Sequence, residues 1–73
     1  MTKAETIKSM IVKANKLLKD GWTRDGENEI WNIASDWNSE HSEDEIFMSD
    51  YQSEDSATVN GFMIEDDYWV FEN

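Results

Sequence analysis

The sequence predicts an α+β fold: an N-terminal amphipathic helix packed on an antiparallel sheet of three to four strands, with room for a second short helix. Three observations predict it. Apolar residues near the start recur at helical spacing. Short β-prone runs separated by turn residues fill the C-terminal third. Nine aromatics, four of them Trp, supply core area to a chain of only 73 residues. That length holds one domain, spanning 1–73. A domain this small buries about 60% of its unfolded surface, so its stability margin is small.

Each element follows from local pattern. Thr2 and Glu5 fit a capping box, with Thr2 at N-cap and Glu5 at N3. Ile7, Met10, Ile11, Ala14, Leu17 and Leu18 then mark one helical face, and Lys8, Lys13, Lys16 and Lys19 the other. Gly21 stops the helix, giving a span of 3–20. Asp25-Gly26 reads as a turn. Residues 29–37 fit both periods: Ile30, Ile33, Ala34 and Trp37 the helical, Trp31, Ile33 and Trp37 the extended. The Trp and Ile content and the preceding Asp-Gly tilt the expectation towards a strand.

Residues 38–44 read as a polar loop. Residues 45–51 are again double-valued. Ser42 and Glu45 could cap a short helix with Ile46, Phe47 and Tyr51 inward, or Ile46 and Met48 could share a strand face. Residues 57–59 and 62–64 flank Asn60-Gly61, a strong hairpin-turn signal. Glu65-Asp66-Asp67 reads as a second turn. Tyr68-Trp69-Val70-Phe71 follows, β-prone on both faces and expected to be central or well covered.

The charge is segregated. All six bases lie in the first 24 residues with only two acids, leaving +4 there. Residues 25–73 hold fifteen acids and no Lys or Arg, or −15, which makes the net −11. Such density opposes compaction unless the helix lysines or a cationic partner neutralise it.

Most chemistry is disfavoured. Without Cys there is no disulfide and no thiolate ligand. Asp25, Glu27 and Glu29 alternate as in a calcium loop, but Ile30 stands where Gly must be. Three separated glycines make no phosphate loop. His41, the only histidine, lies in a polar stretch without an orienting partner. No enzyme, metal site or cofactor is expected. Direct nucleic-acid binding needs a positive surface, which −15 denies. The opening Met1-Thr2-Lys3-Ala4-Glu5 lacks an apolar run, so no signal peptide is expected. No stretch is long and apolar enough to span a bilayer, and a cytoplasmic protein is expected.

What remains is recognition of cations. Carboxylates two apart on a strand lie about 6.6–6.8 Å apart, and helix neighbours at i and i+4 about 6 Å apart. Both are near the spacing of successive phosphates, so a Glu/Asp surface can occupy a groove built for DNA or RNA. The candidate partner-binding residues are Glu40, Glu43, Asp44, Glu45, Asp50, Tyr51, Glu54 and Asp55, with Glu65, Asp66 and Asp67 as a second cluster. Tyr51 or Trp37 is the expected aromatic anchor.

In texture, Lys19-Asp20-Gly21-Trp22 followed by the acid-rich 40–55 segment resembles small, Cys-free, acidic phage inhibitors of the anti-CRISPR and anti-restriction class. The resemblance is one of composition over the whole chain and carries no motif, so it transfers no residue role. It implies an inhibitor that presents a nucleic-acid-like surface to a basic nuclease. The alternatives are an acidic immunity protein or antitoxin against a basic toxin, and a self-associating structural module.

Overall fold

A computed structural model describes residues 1–52, 60–66 and 68–71, with backbone only at Tyr51, Gln52 and Asn60. Its elements are α1 (Lys3–Asp20), α2 (Arg24–Glu40), β1 (Met48–Gln52), β2 (Asn60–Ile64) and β3 (Tyr68–Phe71). The three strands form one antiparallel sheet in the order β1-β2-β3. The fold is α+β, with both helices layered on one face of the sheet.

The first helix forms where its sequence places it. The Thr2 hydroxyl accepts from Glu5 N–H at 3.1 Å, and the Glu5 carboxylate accepts from Thr2 N–H at 2.9 Å. Two of the otherwise orphaned donors at the helix start are thereby satisfied. Gly21 leaves the helix with φ 106°, a backbone region that side chains with a Cβ rarely adopt.

Residues 29–37 are helix, not strand. Thr23 caps α2, its hydroxyl accepting from Gly26 N–H at 3.0 Å. Asp25-Gly26 therefore belongs to the first turn of this helix rather than to a turn between elements. Gly26 has a packing reason: a Cβ there would lie 2.6 Å from Leu17 Cδ1 of α1. Only three residues separate α1 from α2. Leu17 meets Gly26 and Lys13 meets Glu29, so the two helices run antiparallel. Ile30, Ala34 and Trp37 are the buried stripe of α2, and the helical period of 30, 33, 34 and 37 outweighs strand propensity.

The helix also runs further than expected, to Glu40, shortening the polar loop. Ser42 does not cap a helix. Residues 48–52 are strand, and Met48 packs against the core beside buried Ile46. The Asn60-Gly61 turn is overturned as well. Both residues lie within β2, where Asn60 pairs with Gln52 and Gly61 with Tyr51 and Phe71. Gly61 does not take the positive φ that the expected turn type requires. The expected hairpin arm at 57–59 lies outside the described residues. Glu65 and Asp66 do form the β2–β3 turn, with Glu65 at φ 59°.

The last strand is at an edge, not in the centre. Val70 is buried, while Trp69 is 47% and Phe71 39% exposed. The core lies between the layers: Met10, Ala14 and Leu17 of α1, Ile30, Ala34 and Trp37 of α2, and Phe62, Ile64 and Val70 of the sheet. Phe62 is fully buried, with the rings of Trp22 and Trp31 at 5.8 and 6.1 Å. Both contacts are tilted or edge-on, the geometry the aromatic quadrupole favours.

Candidate functional site

The acidic segment between α2 and β1 is held by two consecutive residues at the end of the helix. Asn38 brackets Ile46: its Oδ1 accepts from Ile46 N–H at 2.7 Å, and its Nδ2 donates to the Ile46 carbonyl at 3.0 Å. A side-chain amide thus replaces the backbone partner that Ile46 would find in a sheet. Trp37 Nε1–H donates to the Asp44 carbonyl at 2.7 Å, which lets a buried indole keep its polar group paired. The Trp37 ring stacks on His41, 3.6 Å between centroids and 10° between planes. His41 caps the helix, its backbone N–H donating to the Trp37 carbonyl at 2.9 Å.

A second set of contacts ties this segment to the β2–β3 turn. The Glu65 N–H donates to the Phe47 carbonyl at 2.6 Å, and Glu65 Oε2 accepts from Phe47 N–H at 3.1 Å. Lys3 closes the cluster, its Nζ lying 3.0 Å from Glu65 Oε1 and 3.3 Å from Asp44 Oδ1. The hydrogen bond to Glu65, with a smaller contribution from Asp44, holds the Lys3 ammonium above its ordinary pKa despite some desolvation. At the helix start, hydrogen bonds from the Thr2 backbone and hydroxyl hold the Glu5 carboxyl below its ordinary range.

The expected site residues therefore divide. Glu40, the last residue of α2, and Glu43, Asp44 and Glu45 in the segment that follows it are all exposed, forming an acidic ridge in sequence at the end of the helix. Glu65 joins them through Lys3, and Asp66 is exposed beside it in the turn. Asp50 is exposed on β1, opposite Phe62. Tyr51 pairs through its backbone with Gly61. Glu54, Asp55 and Asp67 lie outside the described residues. Trp37 is a core residue, not an exposed anchor. The exposed ring in this region is Phe47, 52% accessible between Glu45 and Asp50.

The extended reading of 29–37 concealed a further acidic feature. On α2, Asp25, Glu29, Asn32, Asp36 and Glu40 fall at i, i+4, i+7, i+11 and i+15, and all five are exposed. At 100° per residue they form one stripe, roughly opposite the buried stripe of Ile30, Ala34 and Trp37. Helical periodicity applied to the polar residues would have found it. Among the described residues the ion pairs are Lys3 with Asp44 and Glu65, and Lys13 with Glu29. Asp36 and Glu40 at the distal end of the stripe are followed in the chain by exposed Glu43 and Glu45, and among the described residues none of these four carboxylates forms an ion pair. Among the described residues no group of three or more His, Asp or Glu is arranged to hold a metal ion. Among them, too, no helix is long and apolar enough to cross a membrane. Comparison with protein-family models, with curated proteins and with solved structures finds no match.

Proposed function

We propose that this protein is an inhibitor or binding protein that sets its acidic ridge into the cationic groove of a nuclease or other nucleic-acid-binding protein. The observation that carries this reading is the stripe along α2 and its continuation into the 40–45 segment. Asp25 and Glu29, and again Asp36 and Glu40, are one helical turn or about 6 Å apart, near the repeat of a phosphate backbone, with neutral Asn32 between the two pairs. The ridge is fixed rather than mobile in character: Asn38 and Trp37 hold the backbone that carries Asp44 and Glu45. A rigid anion forfeits less conformational entropy on binding than a floppy tail. Phe47, half-exposed among the acids, gives the ridge an aromatic anchor. Long-range attraction would speed association, and affinity would fall steeply with salt.

The experiment is affinity capture from host lysate at low and high salt, with and without competing duplex DNA, followed by purification of the captured protein. The reading expects a nucleic-acid-binding protein that is lost to competing DNA and whose own DNA or RNA binding this chain blocks. The triple reversal D36K/E40K/E43K should abolish capture while leaving circular dichroism unchanged. A captured toxin that DNA does not displace would replace the reading with an antitoxin. Unchanged capture by the triple variant would remove the ridge from the interface.

A further inference from the structure

A cleft of about 360 Å³ opens between α2 and the edge strand β1. Trp31, Ser35 and Asn38 line it from the helix at i, i+4 and i+7, a stripe separate from the acidic one. Phe47 and Met48 line it from the chain entering β1. Most of this surface is apolar. Phe47 is 52% exposed, Trp31 and Met48 are half-buried, and buried Ala34 and Ile46 form the floor.

Each end of the cleft carries a carboxylate. At the Asn38 end, where that amide brackets Ile46, Glu45 lines the cleft. At the Trp31 end lies Phe62, its ring 6.1 Å from the Trp31 ring. Phe62 pairs with Asp50 across the β1–β2 ladder, and Ile64 pairs with Met48. Directly paired residues project from the same face of a sheet, and Phe62 and Ile64 are fully buried in the core. Met48 and Asp50 therefore share the helix side of β1, about 6.8 Å apart along the strand. Asp50 is nevertheless exposed, so the helices leave this end of the strand uncovered. Among the described residues neither Glu45 nor Asp50 forms an ion pair, while Lys3 is held by Asp44 and Glu65, and Lys13 by Glu29. Residues 25–73 contain no Lys or Arg.

An apolar trough between two carboxylates defines its occupant. A purely basic side chain would leave the faces of Trp31 and Phe47 in water, and a purely apolar one would leave both carboxylates unanswered. We infer that the α2–β1 cleft is a docking site for a segment of a partner protein that carries one large apolar side chain between basic residues. The outer face of α1 has a similar alternation in exposed Lys8, Val12 and Lys16. Valine is small for about 360 Å³, however, and a second copy brings its own −11. The inference goes beyond the acidic ridge and stands without it: the ridge attracts cations of any kind, whereas the cleft selects for an apolar side chain.

The test titrates three five-residue synthetic peptides into the full chain and follows NMR shifts. All have serine at the second and fourth positions. The first has arginine at both ends and phenylalanine at the centre, the second replaces phenylalanine with alanine, and the third replaces both arginines with glutamate. In an extended peptide the ends and the centre share one face. The first peptide should bind about ten-fold more tightly than the second, as burial of one aromatic side chain predicts. It should shift the Trp31 indole, the Phe47 ring and the Met48 methyl while leaving the Trp69 indole, on the other face of the sheet, still. The third should not bind measurably. S35R, at an exposed helical position, sets a cation at the rim of the cleft and should abolish the preference for phenylalanine with circular dichroism unchanged. E45Q/D50N should weaken both arginine peptides alike. The ridge variant D36K/E40K/E43K should keep the preference, so that loss of ridge-dependent capture and loss of the cleft are read separately. Equal binding of the first two peptides, a preference that survives S35R, or binding of the glutamate peptide would overturn the inference. Concentration-dependent sedimentation lost in both S35R and V12S would overturn it in favour of a second copy.

Discussion

Asn38 grips Ile46 on both sides of its peptide, accepting from its N–H at 2.7 Å and donating to its C=O at 3.0 Å. One side chain on the last turn of α2 thereby sets the path of the acidic segment into β1. Removing it strands two partly buried backbone groups at once. N38A should lose about 1–3 kcal/mol in urea unfolding, since an unmade bond costs more than a made one gains. N38D should fare no better, because a carboxylate cannot donate to the Ile46 carbonyl. Faster amide exchange confined to 44–47 in either variant would show the ridge loosening ahead of global unfolding. Unchanged exchange there would mean that the contacts of Trp37, Glu65 and Lys3 hold the segment without Asn38.

Gly61 has a different role from the one its neighbour suggests. Asn-Gly is a hairpin signature because both residues tolerate positive φ. Here the glycine lies in the central strand of the sheet, and a Cβ would come 2.5 Å from the Val70 carbonyl and 3.3 Å from Phe71 Cα. Those are backbone atoms of β3 and have no rotamer by which to retreat. G61A should therefore cost about 1–3 kcal/mol, the range for forced overpacking. It should also disturb the β2–β3 amides in NMR more than the β1–β2 amides. A neutral G61A would show that β3 can shift outward freely.

The contrast between Asn60-Gly61 and Thr2–Glu5 shows what the sequence could and could not convey. The capping box, the Ile7 to Leu18 stripe and Gly21 act within one helix, and each is read from neighbours a turn away. All three are found in the structure. The β2–β3 turn at Glu65-Asp66 is equally local. Gly26 and Gly61 are small because of atoms far along the chain, Leu17 Cδ1 and the Val70 carbonyl. Local turn rules assigned both incorrectly. Residues 29–37 failed for a related reason, since Trp31 and Ile33 are β-prone, and the Thr23 cap that decides for helix lies well upstream. The acids were visible from the start. Their alignment was not, because the stripe exists only once 24–40 is helical.

The Thr2–Glu5 box carries a pH signature. The folded state holds the Glu5 carboxyl below its ordinary pKa, through hydrogen bonds from the Thr2 backbone and hydroxyl. A depressed carboxyl binds fewer protons folded than unfolded. Its contribution is therefore present above the unfolded pKa, about 4.3, and is lost as pH falls through the lower folded value. Overall stability also changes as sixteen other acids gain protons and self-repulsion eases, so the useful quantity is a difference between variants. E5A should be less stable than wild type at pH 6, with the gap closing towards pH 3. A gap that stays constant across this range would place the loss in helix propensity or packing rather than in the ionised carboxylate. T2A should lose about 1 kcal/mol as a missing N-cap.

Lys3 neutralises part of the acidic surface from within, and its removal should separate stability from binding. Its ammonium lies 3.0 Å from Glu65 and 3.3 Å from Asp44, and its pKa is raised chiefly by the Glu65 hydrogen bond. A cation raised in the folded state contributes stability below its unfolded pKa, so the whole contribution is present at pH 7 and is lost only in strong alkali. K3Q leaves two carboxylates facing each other without a cation. Its melting temperature should fall below wild type at low salt, with the deficit narrowing near 1 M salt, where the Debye length is about 3 Å. E65Q should disturb the cluster more than D44N, because the Glu65 side chain is 29% exposed against 62% for Asp44 and also accepts from Phe47 N–H. On the proposed reading, K3Q also releases negative charge towards the partner, so capture at low salt should be equal to or tighter than wild type even as stability drops. Weaker capture by a folded K3Q would show that Lys3 serves the interface through the geometry of the ridge rather than by masking its charge.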